Sequence, residues 1–499
     1  MFYGIVREHH TRLQSDDERF KSQRKWLQDL MSQKFLHGVA GPHLHKTFME
    51  LVGLWQEKLR LSGPGSQAFS AKHDVTHSAL EAIWAAMFGT GGTTTITMKQ
   101  TNLLSSLTPG SIKRYNNGAL DFPEADRPTA FDTILRLTDT FETVCKSPFP
   151  LITGCKLHLI LTLGRPEKHH ADSSILGFLP YRFSNLVKAK NSVIINEIRK
   201  AEQRPRDIKG EQGRIFNAVD HMLHREAQQA DKEARGPEYY SKAMIAEVKK
   251  NQREVVPRAH HAQIFGFLIA GHETTSQTIM WILKILSDHP AVQSKLRTEL
   301  RNTYSAAMAD GRVPTAKEVA TMPIQYLDAC IEEFMRWRTA GPMTSRTSTT
   351  DAVILGHVVP KGTRIMMMSS GGGVLTPAHK IPDSIRSPAY QSAGGGKIGS
   401  WDESIPEDMA AFNPDRWLKT EVDGSKVFDA TLGPQMGFGA GPRGCFGRKL
   451  AYLEVRLAIV LLLWHFELQK VPEPLNSYEA IEVLTHGPVH CYVRLSAAL

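Results

Sequence analysis

Near its C-terminal end the chain reads Met436-Gly437-Phe438-Gly439-Ala440-Gly441-Pro442-Arg443-Gly444-Cys445-Phe446-Gly447-Arg448-Lys449. Four glycines and a proline precede the cysteine, so the stretch is a tight loop rather than a regular element. Directly after it, Leu450, Leu453, Leu457, Val460, Leu461 and Trp464 recur at helical spacing and predict an amphipathic helix bound for the core. Cys445 therefore stands at or just before a helix N-terminus, with Arg443 two residues away. The helix dipole, free backbone N–H groups and a nearby cation all favour thiolate over thiol. A thiolate on a glycine-lined loop lets a large flat ligand come close to the backbone. The plainer alternative is a buried structural cysteine in a turn.

Composition narrows the setting. A chain of 499 residues, 41% apolar and 22% charged, buries a large core and is not broadly disordered; length alone suggests two to four domains. The formal charge of +9 suits an anionic membrane surface, an acidic protein partner or nucleic acid. No basic run is interleaved with aromatics, so nucleic acid is the weakest of the three. The cysteines Cys145, Cys155, Cys330, Cys445 and Cys491 are scattered without CxxC spacing. That pattern argues against a disulfide framework or a zinc site and fits a reducing compartment. His9-His10, His169-His170 and His260-His261 lack any ligand pattern such as HExxH and read as surface residues. The apolar run 457–464 is far shorter than the ~20 residues a bilayer needs, and the N-terminus turns charged at Arg7. The chain as written reads as soluble.

Helices are expected over 16–36, 43–61, 75–89, 185–201, 263–289, 291–305 and 324–338, with a charged helix over 214–235. Residues 89–131 are rich in Thr, Ser, Gly and Asn and read as a long surface connection. A β-hairpin is expected over 353–363, where β-branched residues surround Pro360-Lys361-Gly362. Residues 371–401, rich in Gly, Ser and Pro, read as a mobile insertion.

Within 263–289 lies Ala270-Gly271-His272-Glu273-Thr274-Thr275. A carboxylate beside a hydroxyl in an apolar helix is costly unless both are bonded. Ala270 and Gly271 leave a small-residue gap where a planar ligand can press on the backbone. Alternatively, Thr274 bonds a helix carbonyl and Glu273 faces a surface. Further on, Glu333 and Arg336 share a helix face at i,i+3, a spacing that is also that of an ordinary surface pair.

Taken together these stretches resemble one family. Phe438-x-x-Gly441-x-Arg443-x-Cys445-x-Gly447 resembles the cysteine-ligand loop of the cytochrome P450 haem-thiolate monooxygenases, and the hexapeptide at Ala270 resembles their oxygen-binding helix. Phe412-Asn413-Pro414-Asp415-Arg416-Trp417 is similar to their second-arginine motif. The resemblance implies a mostly α fold with a minor β-region, one domain enclosing haem. It implies that Cys445 is the axial iron ligand, with Phe438, Arg443, Ala270 and Gly271 around the cofactor. Glu273 and Thr274 would be the acid–alcohol pair delivering protons, and Glu333, Arg336 and Arg416 a buried structural triad. By position Arg346 resembles a propionate-binding arginine. Phe20-Lys21-Ser22-Gln23-Arg24 resembles the family's Trp-x-x-x-Arg motif with Phe for Trp. Arg24 is then either a second propionate partner or a solvated arginine on a basic helix. His272 falls at a variable position and receives no role.

The implied activity inserts one oxygen atom of O2 into a small lipophilic substrate, with electrons from an NADPH-dependent reductase, since no flavin or nicotinamide fingerprint is present. The helix after the loop is similar in style to fungal members, which suggests secondary-metabolite oxidation. Members of the family carry substantial chain before the motif at Phe20, so residues 1–499 are expected to lack the usual N-terminal part. The endoplasmic reticulum membrane is the family's usual location. Two rivals are a haem-thiolate isomerase or dehydratase that uses no O2, and a non-catalytic haem-binding protein.

Overall fold

The computed structural model describes residues 17–63, 67–91, 94–146, 178–203, 215–232, 258–376, 382–386, 388, 409–482 and 485–498. Helix α1 (Glu18–Leu27) gives way to a 3-10 turn, and Ser32 starts a new turn by accepting from Phe35 N at 3.3 Å. The single helix expected over 16–36 is therefore broken. A serine whose hydroxyl competes for backbone partners favours such a boundary. Next come α2 (Gly41–Ser62), with Pro42 in its first turn, strand β1 (Phe69–Ser70) and α3 (Lys72–Phe88).

The stretch 89–131 corrects the sequence reading, since it holds helix α4 (Ile96–Ser105) and strands β2 (Lys113–Arg114) and β3 (Leu120–Asp121). Thr95 caps α4 by accepting from Met98 N at 3.0 Å, and the buried Glu81 takes the Thr97 N–H and hydroxyl. Ile96 and Leu104 are buried, so tertiary contacts hold a helix that composition concealed. Then follow α5 (Thr129–Lys146), α6 (Phe178–Glu202) and α7 (Ala218–Lys232).

Helix α8 (Arg258–Asp288) runs 31 residues and stops before Pro290, whose ring cannot continue it. It is the axis of the core: Ile264, Leu268, Ile269, Met280, Ile285 and Leu286 are buried, and α8 packs along α3. Helices α9 (Pro290–Thr303) and α10 (Gln325–Trp337) follow. Strands β4 (Met343–Thr347) and β7 (Arg364–Met368) pair antiparallel, as do β5 (Ala352–Ile354) and β6 (His357–Val359), so the expected hairpin lies inside a longer β excursion. Of the expected insertion, Gly372–Leu375 forms one helical turn, while 377–381 and 389–401 lie outside the described residues.

After β8 (Leu418–Thr420) and β9 (Lys426–Phe428), the glycine-rich loop leads into α11 (Arg448–His465), the helix predicted from the leucine spacing. Strands β10 (Phe466–Gln469), β11 (Ala480–Glu482), β12 (His486–Pro488) and β13 (Tyr492–Ala497) close the chain. β10, β13, β1, β3 and β2 form a mixed sheet in that order, in which only β1 and β3 run parallel. One large hydrophobic cluster reaches from Leu27 to Leu495, beside a small one of Ala68, Ala119, Val471 and Leu475. Among the described residues no helix is long and apolar enough to cross a membrane.

Candidate active site at the cysteine loop

The loop turns on Gly439 (φ 61°) and Gly441 (φ 65°), angles that side-chain-bearing residues seldom adopt. Phe438 C=O accepts from Cys445 N at 2.7 Å, which folds the loop back on itself. Gly437 is held for a different reason: a Cβ there would lie 2.5 Å from Thr339 Oγ1. Cys445 is exposed, whereas Cys330 and Cys491 are buried. Desolvation of the sulfur by the surrounding loop, although part of the residue is open to solvent, holds the Cys445 thiol above its ordinary pKa against the lowering effect of the Gly447 and Arg448 N–H groups and the Arg24 and Arg448 charges. That direction corrects the expectation of a thiolate poised by the helix N-terminus alone, and the cation nearest in effect is Arg24, not Arg443.

Arg24 reaches the loop from α1. Its guanidinium donates to Gly444 O at 3.3 Å and lies 5.3 Å from the Phe446 ring and 5.7 Å from Phe20. Arg443 lies over the other part of this cluster, 4.2 Å from the Phe20 ring. Phe20 is buried between the two arginines, which gives the aromatic at that position a packing role. Arg346 sits on β4 and donates to Ser345 O at 2.9 Å. Neither Arg24 nor Arg346 has a carboxylate partner among the described residues.

Helix α8 faces the loop through Phe267, whose ring meets Phe446 edge-on at 5.9 Å. Ala270 and Thr274 follow at i+3 and i+7 on that face, and Ala270 is exposed there. Gly271 is turned otherwise: a Cβ on it would meet Ile83 of α3 at 2.8 Å, so its missing side chain admits a neighbouring helix. Thr274 Oγ1 donates to Ala270 O at 2.7 Å. Glu273 does not reach Thr274; its Oε1 accepts from Gln277 Nε2 at 3.0 Å and Thr485 Oγ1 at 3.2 Å.

Under the loop, the structure brings Glu333, Arg336 and Arg416 together. Arg336 grips Glu333 with two bonds of 2.8 Å, and Arg416 Nε donates to Glu333 Oε1 at 3.1 Å, all closed to solvent. Arg336 also donates to the carbonyls of Val374, Met409 and Ala411. Sequence reading missed several partners. Trp417 Nε1 and Asn413 N both donate to Glu333, at 2.9 and 2.8 Å. The neighbouring Glu332 accepts from Tyr452 Oη and from Gln435 Nε2, and Tyr452 stacks on Phe438 at 5.4 Å. Glu454 of α11, wholly buried, accepts from Thr275 of α8. An acidic residue inside the leucine run of α11 was the available signal for that last contact.

A cavity of about 110 Å³ lined by Lys58, His73, Asp74, His77, Tyr115 and Glu124 lies apart from all these residues. Among the described residues no group of His, Cys, Asp and Glu is arranged to hold a metal ion by itself.

Comparison with known proteins agrees with this arrangement. The family description "Cytochrome P450" matches residues 183–373 and 402–490. The chain is 31% identical to cytochrome P450 monooxygenase TRI13 of Fusarium sporotrichioides over 99% of this chain and 80% of that protein. It is 32% identical to the Hps1-dma1 cluster cytochrome P450 monooxygenase cyp3.1 of Dothistroma septosporum over 62% of this chain and 96% of that one. A solved structure, the heme domain of cytochrome P450DA, superimposes with a TM-score of 0.62 at 17% identity, covering 100% of this chain and 81% of that one, and so shares the fold. The chain belongs to the cytochrome P450 family and is an enzyme of its monooxygenase class.

Proposed function

We propose that this protein is a haem-thiolate monooxygenase that places one oxygen atom of O2 on a small lipophilic organic substrate. The observation that carries the reading is Cys445, an exposed thiol on a loop whose N–H groups and nearby Arg24 all favour its charged form. Cys445 would hold the iron of a bound haem and would give up its proton in doing so. The donor set fits haem in a second way. Arg24 reaches the loop and, like Arg346 on β4, has no carboxylate partner among the described residues, as propionate-binding arginines require. When bound, haem supplies the activation of dioxygen, which a thiolate ligand promotes by donating electron density.

The chain's own residues orient, exclude water and manage protons. Phe438 and Gly444 fix the loop around the sulfur. Phe267, Ala270 and Thr274 form the facing wall, with Gly271 behind it letting α3 close in. Thr274 Oγ keeps its lone pairs available while its proton is bonded to Ala270 O. Glu273, held by Gln277 and Thr485, is the adjacent carboxyl group able to carry protons. Glu333, Arg336 and Arg416 are structural: they hold 409–417 and thereby the floor of the loop.

Electrons come from an NADPH-dependent reductase. Lys25, Arg448 and Lys449 are exposed on the cysteine side, a basic face suited to an acidic donor. A relative whose name assigns it to a gene cluster supports a biosynthetic setting. The test is turnover of candidate substrates with reductase and NADPH under isotopically heavy dioxygen. One heavy oxygen atom in the product is expected. Conversion of substrate without O2 or reductase contradicts the reading in favour of an isomerase or dehydratase.

A further inference from the structure

His272 is a wholly buried polar residue of α8 that the site described above leaves unused. Its Nδ1 lies 2.9 Å from Leu268 O. A carbonyl only accepts, so Nδ1 carries a proton and Nε2 is left as the exchangeable nitrogen. That nitrogen is closed to solvent and has no hydrogen-bond partner among the described residues. An unbonded polar atom in such a place is costly, and one that persists calls for a reason.

The same i−4 bond recurs at His289, to Ile285 O, and at His465, to Leu461 O, both at 2.8 Å. Those two rings are half-buried at helix ends. Helix bonding therefore does not explain what is particular to His272. Its Nε2 lies 3.7 Å from Glu273 Oε2, just beyond hydrogen-bond reach. The other carboxylate oxygen, Oε1, already accepts from Gln277 and Thr485. The free oxygen of Glu273 and the free nitrogen of His272 thus face each other.

We infer that His272 is a positioning residue for Glu273, taking the proton of its Oε2 on Nε2 and returning it there. In one direction the carboxyl O–H breaks as the imidazole N–H forms, and in the other the reverse; no electrons are exchanged. Burial holds the His272 pKa below its ordinary value, while the charge of Glu273 on α8, the bond to Leu268 O and the charge of Asp139 on α5 favour the imidazolium. Asp139 is exposed and acts on the ring through its charge. The inference rests on the reading of Glu273 as the proton-carrying acid.

Two measurements test it. In the purified protein, the His272 imidazole resonance, assigned by its loss in His272→Gln, is titrated in wild type and in Glu273→Gln. Removing the carboxylate is expected to lower the His272 midpoint by about one pH unit. An unchanged midpoint overturns the pairing whether or not the enzyme turns over any substrate. Second, product formed per NADPH consumed is followed against pH for His272→Gln and His272→Asn. The asparagine amide can still donate to Leu268 O, yet neither amide has a basic nitrogen able to take up and return a proton. Both variants are expected to lose coupling about tenfold with KM unchanged, while His272→Asn melts near wild type. Coupling restored by His272→Asn together with stability contradicts the inference and assigns His272 to packing. His465→Ala, which removes the same backbone bond elsewhere, should leave coupling intact. Wild type that forms no product overturns the functional reading alone, and the titration still decides the pair.

Discussion

Thr275 Oγ1 donates to Glu454 Oε2 at 3.1 Å, joining α8 to α11 where neither side chain meets solvent. Glu454 Oε1 has no partner among the described residues, and burial raises the carboxyl from 4.5 to about 8, with the Thr275 bond pulling the other way. The acid is therefore neutral in the fold at neutral pH. The two helices that flank the cysteine loop are locked by an uncharged contact.

A pH dependence follows. The unfolded acid ionises near its ordinary 4.5 and the folded one only near 8, so the folded state binds more protons between them. Stability from this group is complete below the lower value, declines as pH rises, and levels off above the upper one. The slope reaches at most ~1.4 kcal/mol per pH unit. Glu454→Gln should show none of this decline. Denaturant unfolding of both proteins from about pH 5 to about pH 8 should show the variant gaining on wild type as pH rises. A difference independent of pH contradicts the assignment.

Gly271 offers a packing test. Gly271→Ala drives a methyl to within 2.8 Å of Ile83, and overpacking of this kind costs roughly 1–3 kcal/mol. Adding Ile83→Ala should recover much of that loss. Thermal melts of the two single variants and the double measure the coupling. Additive losses would mean that Gly271 answers to something other than α3.

Arg336→Lys should fail where charge conservation alone predicts success. The guanidinium makes two bonds to Glu333 and further ones to Val374, Met409 and Ala411, and an ammonium cannot reproduce that fork. Loss of a partner from a buried pair costs about 3–5 kcal/mol, so little folded protein should be recovered from Arg336→Ala. Near-normal melting of Arg336→Lys would contradict the geometry.

The sequence carried the helical frame and the residues of the loop, because glycine, proline and leucine spacing act locally. Thr95 and Ile96 show why the rest was hidden. A Thr- and Gly-rich stretch becomes helix α4 through the buried partner Glu81, which lies in another helix. Glu333 shows the same limit in the site. Its i,i+3 partner was legible, but Trp417 and Asn413 reach it from distant chain, as Tyr452 reaches Glu332. Gly271 was read as room for a ligand, and the packed helices use that room for Ile83. The direction of the Cys445 shift also depends on burial, which no local pattern contains.

Tyr452→Phe removes one donor to Glu332 and leaves Gln435 as its partner. A buried acceptor deprived of a bond costs roughly 1–3 kcal/mol. The stack on Phe438 is kept, so the melt should drop while the loop retains its ligand. Loss of bound haem with an unchanged melt would show that Tyr452 acts on the loop directly.

The most direct test is the absorption spectrum of the reduced, carbon monoxide-treated protein, taken for wild type and Cys445→Ala. Thiolate ligation predicts a Soret band moved strongly to the red in wild type, and no such band in the variant. A wild-type band in the ordinary position, or a red-shifted band that survives Cys445→Ala, contradicts sulfur-to-iron ligation at residue 445.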